Sequence, residues 1–435
     1  MWMVGRNRLL FLLPYDRMVH TLSSLVRTYL ASLPYDELRQ KVHIIYYLTH
    51  QQNTRHKSNH TVTHMCSRAA IKIKMLFDVA DIYPLIIVLL SVIIFLACYV
   101  QYVHHKRKII TDNYLHRIPY PTTAEEAHEI TRKFSFQDFP FLADKALEFG
   151  LFKTYGVPSI ASILNSTGEL TNKANKRYDD TSIIIRELLE HPPSYARAGA
   201  AVKQMNFIHS HYKISNRDYL YVLSVFIVEP IAWAEKFGYR EVSPKEKKAM
   251  YLRWKFIGEQ MDIKHIPSSY EETESYMQAY EQKYMRYSKH SKEIANGTMK
   301  LLLSVAPFKC LHQRFLHPIV HALCPPLLRQ AMGFPHVSPW FVKFVENLLH
   351  LHSFVVRHVV LPKDVIEART SLDDKDYEAT QIHDKAANAT RKKLYTNYDP
   401  YASTYKHGYL IEELGPIKFC PMRRDPAGVN TKKRR

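Results

Sequence analysis

The chain has 435 residues, 46% of them hydrophobic and only 12 of them glycine, which excludes collagen-like and low-complexity classes and favours a packed, helix-rich protein. Its 60 Lys and Arg against 41 Asp and Glu give a formal charge of +19, suited to lipid headgroups or nucleic acid. No zinc-finger spacing, aromatic RNP-like strand or basic zipper accompanies that charge, so nucleic acid is set aside in favour of a membrane surface.

Residues 1–74 show no sustained periodicity and read as a poorly ordered extension, or as a translated non-coding segment ahead of a start at Met75. Residues 83–103, YPLIIVLLSVIIFLACYVQYV, carry no charge, and a helix of that length crosses about 30 Å of hydrocarbon. Tyr83, Tyr99 and Tyr102 sit near its ends, where interfacial aromatics belong. The cluster His104-His105-Lys106-Arg107-Lys108 after the span, with Asp78 and Asp81 before it, places the C-terminal part in the cytosol. The last four residues, Lys432-Lys433-Arg434-Arg435, look like a dilysine retrieval signal of endoplasmic reticulum membrane proteins; a plain basic tail is the alternative.

A linker, IPYPTT at 118–123, precedes a run of predicted helices. Thr123 caps the first, with Glu125 and Glu126 in its opening turn. Residues 137–165 read as short helices interrupted by Gly156 and Pro158. Ser215 and Asp218 open an apolar helix, and Ser243-Pro244 starts another that runs to Asp262. Further helices are expected over 268–287, 293–305, 315–331 and 338–357. No segment alternates as strands joined by hairpin turns do, so the fold is all-α: a helical domain over 115–363 behind a single transmembrane helix. A polar tail, 364–435, follows and either wraps the domain or stays mobile.

Two helical patterns between 177 and 212, broken by Pro192-Pro193, carry the chemistry. On the first, Arg177, Thr181, Ile184 and Leu188 share one line, and a charge on an apolar line needs a partner. On the second, Ala198, Ala201, Val202, Met205, Ile208, His209 and Tyr212 form one stripe, so His209 points inward and His211 away. Facing helices with a buried Arg and an inward His can clamp a flat anionic metal cofactor. Glu229 interrupts the most apolar helix, VFIVEPIAW, and Arg177 would bind either Glu229 or a haem propionate. The blander alternatives are a core histidine and an Arg177–Glu229 ion pair with no cofactor. Other sites fare worse. Only one Glu-x-x-His occurs, Glu125 to His128, so a di-iron bundle is excluded; HExxH, GxSxG and Walker A patterns are missing. The five cysteines, Cys66, Cys98, Cys310, Cys324 and Cys420, form no CxxC or CxxCH, which argues against a disulfide framework and a c-type haem attachment.

The runs TGELTNKANKRYDDTSIIIRELLEH, RAGAAVKQMNFIHSHYKISNRDYLYVLSVFIVEPIAW and PPLLRQAMGFP resemble the fungal endoplasmic reticulum-bound oxygenases of the mpaB type. These are related to the catalytic domain of latex clearing protein, the rubber oxygenase, and the resemblance covers roughly residues 115–415. It implies a b-type haem held by one axial histidine, best matched by His209 with His211 as the fallback. The family's R-x-x-K-T motif corresponds to Arg177 through Thr181, with Asp180 where the lysine would stand. The implied activity is cleavage of a C=C bond of a prenyl or polyprenyl chain with dioxygen, on a lipophilic substrate, at the cytosolic face of the endoplasmic reticulum. Arg177, Thr181 and Glu229 are the expected catalytic residues. A reading from another class is a cofactor-free helical lipid-binding or scaffold protein on the same membrane.

Overall fold

The computed structural model describes residues 86–169, 173–304, 313–366, 405 and 409–419. The N-terminal extension, the first residues of the apolar span and the basic C-terminus lie outside the described residues. The chain divides between Val92 and Ile93, and everything from Ile93 on belongs to the second unit. The described residues form helices and no strand, the all-α fold expected.

Helix α1 (Ile86–Arg117) is, among the described residues, the one helix long and apolar enough to cross a membrane. Its residues Ile93, Ile94 and Leu96 are exposed. Beyond the linker, α2 (Ala124–Lys133) starts in a reciprocal capping box between Thr123 and Glu126 and ends on Arg132 and Lys133, so both termini match the helix dipole. Prolines open α3 (Pro140–Thr154) and α4 (Pro158–Thr167), where a missing N–H costs nothing. The pair Pro192-Pro193 separates α5 (Ala174–Glu190) from α6 (Ala196–Ser210). Ser215 caps α7 (Asn216–Phe237), which continues through Pro230, and a second capping box, Ser243 with Glu246, opens α8 (Pro244–Gln260).

The set continues with α9 (Tyr270–Tyr284), α10 (Lys289–Ser304), α11 (Gln313–Leu323), α12 (Pro326–Met332) and α13 (Pro339–His358). The single helix expected over 315–331 is thus two. Pro325 and Pro326 end the first, because proline restricts the residue before it, and Pro326 begins the second. Gly333 closes α12 at φ +63, a left-handed turn that glycine adopts without strain.

Helix α7 is the axis of the core. Val225, Ile227, Val228 and Ile231 on it are all but fully buried. Helix α3 crosses it at Gly150, where an added Cβ would lie 2.7 Å from Val225 Cγ1. The run 409–419 falls in the segment read as a polar tail, yet Tyr409, Ile411 and Leu414 are fully buried. Gln204 on α6 donates to the Leu414 carbonyl at 2.6 Å, and Lys176 on α5 to that of Gly415 at 2.5 Å. These few apolar residues are hidden by their polar surroundings in the sequence.

Candidate functional site

Helices α5 and α6 are locked together by charge. Arg197 donates to Glu187 through Nε at 2.7 Å and Nη2 at 2.6 Å, and neither side chain is exposed. Tyr409 donates to the same carboxylate. A forked pair of this kind fixes geometry as well as energy. Arg253, fully buried on α8, donates to the carbonyls of Leu188 and, at 2.8 Å, His191, satisfying the C-terminal end of α5. His191 Nε2 lies 3.5 Å from Glu187, but burial and the Arg197 charge hold its pKa at about 3, so it is neutral.

Beside this locked pair lies a cavity of about 850 Å³, within the range of roughly 300–1,000 Å³ for small-molecule and cofactor sites. Its wall is largely apolar, with Leu147, Ile185, Val222, Phe226 and Ile257 among its residues. Arg177 and Thr181 from α5 and His209 from α6 all reach that wall. Arg177 Nη1 donates to Thr181 Oγ1, and among the described residues no carboxylate lies within ion-pair distance of the guanidinium. His209 is half-buried and its Nδ1 has no partner among the described residues; the Tyr219 ring stands edge-on to it at 5.7 Å. Burial, helped by the Arg177 charge, lowers the His209 pKa to about 4. The imidazole is therefore neutral near pH 7, with a nitrogen lone pair available.

His211 behaves as its helical phase demands. It is exposed, stacks on Phe419 at 3.8 Å and takes no part in the cavity wall.

Glu229 does not join this group. Its Oε1 accepts from buried Lys153 on α3 at 2.7 Å, and Lys153 also lies 2.7 Å from Glu281 on α9. Glu229 is not in the cavity wall, so of the two partners considered for Arg177 the Glu229 carboxylate is engaged elsewhere, at the α3–α7–α9 junction. Helix α7 is buried all round, so its sequence carried no phase to tell the cavity side from the packing side. Asp180 is likewise outside the wall.

Tyr155 went unnoticed in the sequence. It lines the cavity, and burial raises its phenol pKa against the pull of Thr298 and Arg177, so it stays protonated beside the cation. It sits in the turn after α3, where no periodicity marks a side chain as inward.

Among the described residues no three His, Cys, Asp or Glu side chains converge to hold a metal. Where α5 and α6 meet the cavity, the donors are instead the neutral His209 imidazole and the Arg177 guanidinium, while the carboxylates Asp138, Asp144, Glu148, Glu190 and Asp218 and the cations Arg107 and Arg186 line other parts of a largely apolar wall. The His209–Arg177 set suits a flat apolar group that brings most of its own metal ligands and carries anionic substituents.

A family model described as "ER-bound oxygenase mpaB/B'/Rubber oxygenase, catalytic domain" matches residues 169–355, which contain α5 to α12 and most of α13. The chain is 29% identical to the ER-bound oxygenase mpaB' of Penicillium brevicompactum over 68% of its own length and 79% of that protein's. It is 34% identical to the ER-bound oxygenase mpaB of Penicillium roqueforti over 45% of its length and 70% of the relative's. To mpaB of Penicillium brevicompactum it is 34% identical, over 42% and 51%.

Proposed function

Because the chain belongs to the family of ER-bound oxygenases mpaB/B' and the rubber oxygenase catalytic domain, and is therefore an oxidoreductase, we propose that it is a haem-dependent oxygenase that cleaves a C=C bond of a prenyl side chain. The observation that carries this reading is the convergence of neutral His209 and of Arg177, unpaired with any carboxylate among the described residues, on one largely apolar cavity. Family membership sets aside the scaffold alternative, which has no use for chemistry. The anchor is α1, the compartment the endoplasmic reticulum, and the catalytic domain faces the cytosol.

The residues present fit haem b. His209 would ligate the iron and Arg177 would hold a propionate. Haem bound there would supply the redox-active iron for dioxygen chemistry. The chain's own contribution is positional. His209 offers its lone pair unprotonated at neutral pH, and the Arg177–Thr181 bond keeps the guanidinium aimed into the cavity. Tyr155 adds a protonated hydroxyl beside that cation. The apolar wall strips water from an alkene and holds it in reach. In the net reaction the C=C bond breaks and two C=O bonds form, using both atoms of one dioxygen, so no further reductant is required.

The full-length chain, purified in detergent with haem supplied, should show a Soret band that survives desalting. His209→Ala should lose it and His211→Ala keep it. A band retained in His209→Ala would overturn the assignment. Incubation with a farnesylated phenol under air should release two carbonyl fragments; an unchanged substrate in the haem-loaded protein would defeat the proposed reaction.

A further inference from the structure

Helix α13 exposes an apolar stripe along its whole length. Trp340 is 70% exposed, and Phe344, Leu348, Leu351 and Phe354 follow it at three- and four-residue spacing, one continuous face. A contiguous apolar surface of this size on a protein marks an interaction site. Lys343, Glu346 and Arg357 on the same helix argue against its crossing a bilayer and suit a helix lying in the headgroup plane.

Its position identifies what covers it. The C-terminal end of α13 is tied to α1: Tyr99 donates to the Val359 carbonyl at 2.7 Å, and Arg107 to those of Val356 and Val360 at 2.6 and 2.7 Å. Lys106 pairs with Asp364 at 2.8 Å. Tyr99 lies near the end of the uncharged apolar run, the level at which a spanning helix leaves the hydrocarbon. The residues bonded to it therefore sit at the membrane surface.

The cavity opens at the same place. The exposed residues of its wall are Pro140 and Phe141 at the start of α3 and Val360, Leu361 and Lys363 after α13. The ring of Phe141 packs on His352 of α13 at 4.5 Å, so the rim adjoins the helix that carries the apolar stripe.

We infer that the α13 stripe is seated in the acyl–headgroup boundary of the leaflet that α1 leaves, and that the cavity mouth between Phe141 and Leu361 opens into that leaflet. A lipophilic alkene then enters the cavity from the bilayer without crossing water. Exposed Lys363 at the rim faces anionic headgroups. The inference rests on α1 spanning the membrane, as proposed above.

The test uses the full chain reconstituted in nanodiscs with or without lipids brominated at mid-chain, which quench nearby indoles. Wild type should lose part of its Trp emission in the brominated discs, as for a side chain at the acyl boundary, and Trp340→Phe should remove most of that loss. In a Trp340→Phe background, Phe141→Trp should restore the quenching. An unquenched Trp340 in protein that resists carbonate extraction overturns the inference while leaving the anchor intact. Quenching of Trp340 in the wild type, with none restored by Phe141→Trp in the Trp340→Phe background, overturns the membrane-facing mouth. Trp340 shielded in a dimer that dissociates on Phe344→Glu would make a second copy the occupant and overturn it too. Extraction of the wild type by carbonate would instead defeat the anchor itself, and the inference with it.

Discussion

Lys176 and Asp180, one turn apart on α5, form a buried ion pair of 2.5 Å. Asp180 also accepts from Tyr405, and Lys176 donates to the Gly415 carbonyl. The acid that departs from the R-x-x-K-T pattern thus binds the C-terminal run to α5 and stands apart from the cavity. Removing one partner of a buried pair costs about 3–5 kcal/mol, because the other charge stays behind. Asp180→Asn should lower unfolding free energy by that order and expose the 409–419 run to protease, both read by denaturant titration and limited proteolysis. Haem retention should persist in the folded fraction.

Lys153 balances two carboxylates at 2.7 Å each, so Lys153→Met should be among the more damaging single changes. Its cost should again be about 3–5 kcal/mol. Adding Glu229→Gln and Glu281→Gln should recover much of the loss. Glu229→Gln alone should keep the Soret band, since its side chain lies off the cavity wall. Loss of haem with retained stability in that variant would return Glu229 to the catalytic group.

Haem binding should tolerate acid better than an ordinary histidine allows. The His209 pKa is about 4, so the imidazole stays neutral at pH 5, where an unperturbed one is mostly protonated. Spectral titration should show the band holding down to pH 5. Burial is the larger cause and Arg177 the smaller, so Arg177→Met should raise the His209 pKa only part of the way towards its ordinary value. NMR titration of the haem-free variant measures this directly; a full return to the ordinary value would contradict the burial.

Stability itself should depend on His191. Its pKa of about 3 lies below the unfolded value near 6.5, so between those limits the unfolded chain binds more protons and stability falls as pH falls. His191→Gln removes that one contribution. From pH 7 to pH 5 the parent should therefore lose more stability than the variant, in melting curves recorded side by side. Parallel losses would mean His191 titrates normally.

Local rules carried the sequence a long way. Uncharged length marked α1, capping residues set the starts of α2 and α8, and helical phase alone separated His209 from His211. Each depends on residues within a few turns of one another, where backbone geometry fixes what faces what. What no local pattern contains is the choice of partner across the fold. Glu229 meets Lys153 from 76 positions away and Asp180 meets Tyr405 from 225 away, and the cavity mouth joins the start of α3 to the end of α13. Any buried cation would satisfy a buried carboxylate, so only the packing of the helices decides which one does. The sequence by itself determined most of the helices, the long apolar span and the inward histidine; tertiary structure decided which charges serve the site and which serve the fold.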